Sequence, residues 1–211
     1  MHDTLRRLHG RRRSTGTTID RFRLNELVSQ IAFGGRRSRV YRQIVTLAGV
    51  RPGDSVLDVG CSSGYLARKL AATAGPAGHV VGVDPSEAAI AYARRHAPPT
   101  ATFTVGTGQD LDLADSSFDV VTCTLAMHHI PARQRPAACA EMYRVTRPGG
   151  RLLIADIAAL LRSGGRRGPQ GTAAADPLRD FAAAAGYRVE TTGKLPLLRY
   201  IVAVRPRESR D

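Results

Sequence analysis

The stretch Val56-Leu57-Asp58-Val59-Gly60-Cys61-Ser62-Ser63-Gly64-Tyr65-Leu66 constrains this chain more than any other. Ser55–Val59 is a short apolar run with β-branched residues and reads as a buried strand. It enters a glycine-containing loop that opens a helix over Tyr65–Ala74, closed by Gly75-Pro76. Glycines in such a turn let the backbone approach a ligand closely and take dihedrals that other residues avoid. In an open α/β sheet the ligand then sits at the carboxyl ends of the strands. Alone, the loop is also readable as a plain strand-to-helix turn.

The alternation continues downstream. Strands are expected at His79–Val83, Thr102–Val105, Asp119–Thr124 and Arg151–Ile157, with helices at Ser86–His96 and Pro136–Val145. The latter helix should end at Arg147-Pro148-Gly149-Gly150. Pro177–Ala185 reads as a helix stopped by Gly186, and Tyr187–Thr192 and Leu198–Val204 as two more strands. Strands separated by helices of this length imply βαβ units. The expected fold is therefore α/β and Rossmann-like, with a seven-stranded, mostly parallel sheet and helices on both faces. Residues 1–18 read as a flexible basic terminus, 19–50 as a helical lid and 51–211 as the main domain. Within the lid, Phe22, Leu24, Leu27, Val28 and Ile31 form one apolar face. Val40, Tyr41, Ile44, Val45 and Leu47 form another, with a break at Phe33-Gly34-Gly35.

A second chemical feature lies 20 residues beyond Gly64: Val80-Val81-Gly82-Val83-Asp84, an apolar strand ending in a carboxylate. An acid there can accept both hydroxyls of a ribose. A dinucleotide enzyme places its acid similarly, but its loop would read GxGxxG, and this loop does not.

Taken together, these segments resemble the class I S-adenosylmethionine-dependent methyltransferases over about residues 40–205. VLDVGCSSG is similar to that family's first motif, VVGVDPS to its second, and Asp119–Thr124 to its fourth-strand motif. Arg144–Ile154 (RVTRPGGRLLI) resembles the segment before its fifth strand. Within the family the likeness is greatest to quinone-biosynthesis C-methyltransferases and related small-molecule enzymes, much of it carried by Glu141-Met142-Tyr143-Arg144-Val145. The resemblance implies S-adenosylmethionine as cofactor. It implies that Asp58, Gly60, Cys61, Ser62 and Gly64 hold the methionine part, and that Asp84, followed by Pro85, binds the ribose. Thr124 would face the methionine end, and residues after the third strand would grip the adenine.

The chain departs from the family pattern twice. Ser62 stands where a middle glycine is usual, so it must tolerate that backbone geometry or the loop must shift. Gly106-Thr107-Gly108 stands where Gly-Asp-Ala is usual, which removes the acid for the adenine amino group. Gln109 or Asp110 could replace it, with the Gly108 N–H meeting a ring nitrogen.

His128 and His129 follow the fourth strand, at the expected mouth of the site. An imidazole that titrates near neutrality suits removal of a proton from a phenol or enol as a methyl group arrives. The alternative is that both only line or cap the pocket. Tyr41 and Phe33 either line it from the lid or are core residues of short helices. Cys61 and Cys123 read as small apolar groups, and Asp119 and Asp156 as structural acids. Three cysteines with no CxxC pair argue against disulfides and zinc, no convincing metal set is present, and a reducing cytoplasm fits best.

The net charge of +13 is uneven: +9 over residues 1–51, −1 over 52–161 and +5 over 162–211. A basic end can meet nucleic acid, anionic lipid or an acidic substrate, or simply be a solvated tail. The Arg-rich start also has a faint likeness to a transit peptide. No apolar run approaches the roughly 20 residues of a membrane span. The leading expectation is methylation of a small molecule such as a quinol or phenol. The alternatives are a nucleic-acid methyltransferase using the basic N-terminus, or a non-catalytic cofactor-binding protein. Against nucleic acid stand the 11 aromatic residues, few for base stacking, and the lack of an Asn/Asp-Pro-Pro-aromatic motif. A homodimer is left open as a partner expectation.

Overall fold

The computed structural model describes residues 37–157 and 176–207. The expected flexible terminus, the first part of the lid with Phe33, and most of the 162–176 loop lie outside the described residues. Seven strands form one sheet: β1 (Ser55–Val59), β2 (His79–Asp84), β3 (Ala101–Val105), β4 (Phe118–Thr124), β5 (Thr146–Asp156), β6 (Arg188–Leu195) and β7 (Leu198–Val204). Their order is β3-β2-β1-β4-β5-β7-β6. Only β7 runs against its neighbours. The described helices are α1 (Arg37–Ala48), α2 (Tyr65–Ala74), α3 (Glu87–Arg95), α4 (Arg135–Val145) and α5 (Pro177–Ala184).

Helix ends follow local chemistry. Ser86 caps α3 by accepting the Ala89 N–H through its hydroxyl, and Asp176 caps α5 by accepting from Leu178, with Pro177 in the first turn. Each helix buries one stripe. Leu66, Ala67, Leu70, Ala71 and Ala74 of α2 pack with Val40, Tyr41, Ile44 and Ala48 of α1 on one face of the sheet. Ala138, Cys139, Met142 and Val145 of α4 pack with Leu178 and Ala182 of α5 on the other. The strands between are covered on both faces, and Val56, Leu57, Val121, Leu152 and Ile154 are fully buried. Burial of each such side chain contributes about 1.5–3 kcal/mol.

Two boundaries differ from the sequence reading by more than one residue. Arg147–Gly150 is not a free turn after α4 but the start of β5. Gly149 donates its N–H to the Arg205 carbonyl, Arg205 returns a bond to Gly150, and Thr146 pairs with Phe118. The segment is thereby stitched between β4 and β7, and the register shifts by a bulge between Phe118 and Val120. Strand β6 also runs past Thr192 to Leu195, because its partner β7 extends the pairing through Gly193↔Tyr200 and Lys194↔Arg199. A side chain at Gly193 would collide with the Tyr200 ring.

The segment Glu141–Val145 has a structural task. Glu141 accepts the Leu111 N–H at 2.8 Å and holds Arg144. The Arg144 guanidinium donates to the Leu111 and Leu113 carbonyls and to Asp115. The arginine holds the Glu141 carboxyl below its ordinary range. The pair thus clamps the β3–β4 connection onto α4. Arg144→Ala should cost about 2 kcal/mol, because two carbonyls lose a charged donor. In a chain of this size that lowers the thermal midpoint by about 4–8 °C, readable by calorimetric melting.

Candidate active site

The chain builds outward from β1 to β2 and β3, then crosses back to β4 on the other side of β1. Such a switch point leaves a crevice at the carboxyl ends of the strands. A cavity of about 650 Å³ opens there, between the β1, β2 and β4 ends and under α1. That volume lies within the usual range for cofactor sites.

The β1–α2 loop forms its floor. Gly60, Ser62 and Gly64 have φ of 73°, 48° and 72°, so alternate residues take the left-handed conformation. The loop is tied to the end of β2. Val83 accepts the Gly60 and Cys61 N–H groups at 2.8 and 3.1 Å. Asp84 accepts Ser62 N–H through Oδ2 and Ser86 N–H through Oδ1, both at 2.9 Å. Each oxygen keeps a second lone pair for a ligand. Opposite lies the turn after β4, with Leu125 at φ 56° and its N–H on the Ala155 carbonyl.

Asp58 is buried, in register with Thr122 on β4. Its Oδ1 accepts the Thr122 hydroxyl at 2.8 Å, while Oδ2 is buried with no partner. Burial pushes the carboxyl from its ordinary value of 3.8 to about 7, against the lowering bond from Thr122. The Thr124 hydroxyl, also on the cavity wall, is a second buried polar atom without a partner. Unsatisfied groups of this kind are rare in folded proteins and mark places where a ligand or water belongs.

At the far side, His129 lines the cavity and His128 does not. His128 Nδ1 meets Asp156 Oδ1 at 2.6 Å, and its backbone N–H donates to Oδ2. The two imidazoles lie 3.9 Å apart, tilted by 41°. Burial, and then the neighbouring His128, lower the His129 pKa below 6.5. The buried Arg135 holds their turn by donating to the Met127 and Ile130 carbonyls.

Asp58, Gly60, Cys61, Ser62, Asp84, Pro85, Gly108, Gln109, Thr124 and His129 all line the one cavity. Three other site candidates, His128, Gly64 and Asp110, do not. Gly64 is the N-cap of α2, and a side chain there would strike the Phe103 ring, so its small size serves packing. Asp110 is exposed, outside the lining, while Gln109 faces in and donates to Gln134. Asp156 is fully buried and anchors His128, as a structural acid should. Cys61, Cys123 and Cys139 are free and buried, and burial pushes all three thiols up, Cys139 to about 12. Among the described residues no group of three His, Cys, Asp or Glu could hold a metal ion.

Comparisons with known proteins agree with this fold. Residues 56–150 match the methyltransferase-domain family. A demethylmenaquinone methyltransferase of Symbiobacterium thermophilum is 35% identical over 133 residues, 61% of this chain and 52% of that protein. A ubiquinone/menaquinone biosynthesis C-methyltransferase of Ectopseudomonas mendocina is 31% identical over 137 residues, 63% of this chain and 53% of that protein. Over residues 56–150 this chain is similar to the methyltransferase domain. It spans about half the length of the curated relatives it matches. The fold likeness extends to a SAM-dependent methyltransferase from Aquifex aeolicus, with a TM-score of 0.65 over 78% of this chain and 89% of that one, at 20% identity.

The glycine loop accommodates its serine without shifting, since Ser62 itself adopts the left-handed geometry. The sequence reading missed Arg37, Tyr65 and Gln134 in the lining. Tyr65 packs edge-on to Tyr41 at 5.0 Å, and the Arg37 guanidinium lies 4.4 Å from the Tyr65 ring centre. Tyr65 could have been found as the residue following the glycine motif; Arg37 and Gln134 carry no sequence signal.

Gly60 is the position least able to change. A Cβ there would sit 2.2 Å from Ala126 Cβ, at φ +73°. Gly60→Ala should cost about 2–4 kcal/mol from overpacking and backbone strain. Ser62→Gly should stay within about 1 kcal/mol of the parent, relief of strain being offset by a freer unfolded chain. Denaturant melts of the two variants check the contrast.

Proposed function

We propose that this chain transfers a methyl group from S-adenosylmethionine to a small molecule bearing a phenol, enol or quinol group. The observation that carries the reading is the pair of partnerless buried atoms, Asp58 Oδ2 and Thr124 Oγ1, in the cavity that Asp84 enters. Asp58 Oδ2 suits an ammonium group, which would restore the ionised carboxylate that burial disfavours. The remaining lone pairs of Asp84 suit a ribose diol. Gly108 and Gln109, both on the cavity wall, would meet the adenine ring, with Gln109 in place of the missing acid. When bound, the cofactor supplies an electrophilic methyl carbon on a sulfonium. What the protein adds is proximity and alignment.

His129 is the residue on the cavity wall suited to move a proton. Its imidazole is held neutral by burial and by His128, so at neutral pH it has a lone pair to accept the acceptor's proton. His128 and Asp156 act behind it as positioning residues. The relatives' printed names, methyltransferases of demethylmenaquinone and of ubiquinone/menaquinone biosynthesis, support an acceptor of the quinol class.

Two measurements test this. Titration calorimetry with S-adenosylmethionine should show binding that is lost in Asp84→Ala. Near pH 6 the parent should release a proton on binding, because Asp58, raised to about 7, ionises against the ligand. The observed heat would then vary with the buffer's ionisation enthalpy; no binding to the parent would sink the reading. In turnover at saturating S-adenosylmethionine, which holds Asp58 ionised, kcat/KM for the acceptor should hold level above neutrality and fall as pH drops through a value below 6.5, where His129 takes up a proton. His129→Ala should keep cofactor binding, slow turnover about 100-fold or more and abolish that acid limb. Unchanged turnover would leave His129 a lining residue.

A further inference from the structure

The β6–β7 hairpin closes at the same end of the sheet as the cavity. Its last pairs are Lys194↔Arg199 and Leu195↔Leu198, and Arg199 also pairs with Asp156 at the carboxyl end of β5. The tip is apolar: Leu195-Pro196-Leu197-Leu198. Leu197 is 61% exposed and stands at φ 68°. A leucine held in the left-handed region is strained, and here the strain gains no burial. Only Val105 shares its standing as an exposed large hydrophobic among the described residues.

Beside the tip lies a cleft of about 540 Å³. Arg39, Arg42 and Thr46 of α1 face Lys194, Leu195 and Tyr200 of the hairpin across it. The three cations are exposed and, among the described residues, none has an ion-pair partner. Helix α1 is shared between the two hollows. Arg37 and Tyr41 enter the cavity of the candidate active site, and Arg39 and Arg42 enter this cleft.

We propose that this end of the molecule docks on an anionic lipid surface, with Leu197 entering the acyl boundary and Arg39, Arg42 and Lys194 meeting headgroup phosphates. An exposed apolar hairpin tip beside a cleft that carries unpaired cations is the composition of an interfacial anchor. Single-stranded nucleic acid fits less well, because it needs exposed rings for stacking and the cleft offers only the half-buried Tyr200. Docking in this orientation holds the mouth of the cavity against the membrane, where an acceptor of the quinol class dissolves. The purpose of docking rests on the methyltransferase reading; docking itself is read without turnover, so the two can fail separately.

The test is co-sedimentation of the full chain with vesicles of phosphatidylcholine alone and of phosphatidylcholine with one quarter phosphatidylglycerol. The parent should partition to the anionic vesicles and be released by salt. Each cation removed should weaken partition about five-fold, so the double variant Arg39→Glu, Arg42→Glu should lose at least 25-fold. Leu197→Gly removes the side chain and the backbone strain together. It should melt no lower than the parent, bind S-adenosylmethionine equally and partition at least ten-fold more weakly. The proposal is overturned if the parent ignores anionic vesicles. It is overturned equally if Leu197→Gly partitions like the parent, which would assign binding to other basic residues. Loss of RNA or free inorganic phosphate binding in the double variant, without any change in vesicle partition, would also overturn it.

Discussion

The carboxyl end of β2 dictates the cavity. Two consecutive residues there, Val83 and Asp84, receive three N–H groups of the glycine loop and one from the start of α3. Those bonds fix the alternating left-handed dihedrals at Gly60, Ser62 and Gly64. A serine at φ 48° is unfavourable by about 1–2 kcal/mol when unsupported, and the Ser62 N–H bond to Asp84 offsets part of that. The loop is therefore organised by its own protein contacts. Asp84 does this with one lone pair on each oxygen and keeps the others, so the same carboxylate can serve the fold and a ligand.

Burial then sorts the chemistry the cavity can offer. The three thiols are raised by desolvation and hold their protons, so none is a nucleophile at neutral pH. Asp58 is raised too, but only to about 7, because Thr122 stabilises its ionised form. It sits at the point where a nearby cation decides its charge. His129 is shifted the other way and loses its proton more readily. A buried carboxylate that a cation would ionise and an imidazole held neutral are the groups that the proposed direct displacement calls on.

The strands and helices were legible because each buried element carries an unbroken period, and the glycine loop and Asp84 because they lie at the ends of such runs. What was not legible comes from register. Asp58 and Thr122 are 64 residues apart and meet only because β1 and β4 are neighbours across the switch point. Arg135 steadies the His128–His129 turn from the next helix, and nothing in its local sequence says so. RPGG looked like a turn by composition, yet Arg205 and Phe118 draw it into the sheet. Gly64 and Asp110 were assigned by position in a motif. Packing against Phe103 claims the first, and the turn back to Thr107 carries the second away from the cavity.

The same logic gives α1 its importance. Only part of its surface is needed to cover the sheet: Val40, Ile44 and Ala48 are fully buried. Residues one helical step to either side are left to face two different hollows. Arg37 and Tyr41 form a cation and aromatic cluster with Tyr65 at the first residue of α2, directly after the glycine loop. Arg39 and Arg42 face the hairpin cleft. A helix is stiff along its length, so it cannot shift at the cleft and stay still at the cavity. The edge-on contact of Tyr41 with Tyr65 ties this helix to the residue that follows the glycine loop.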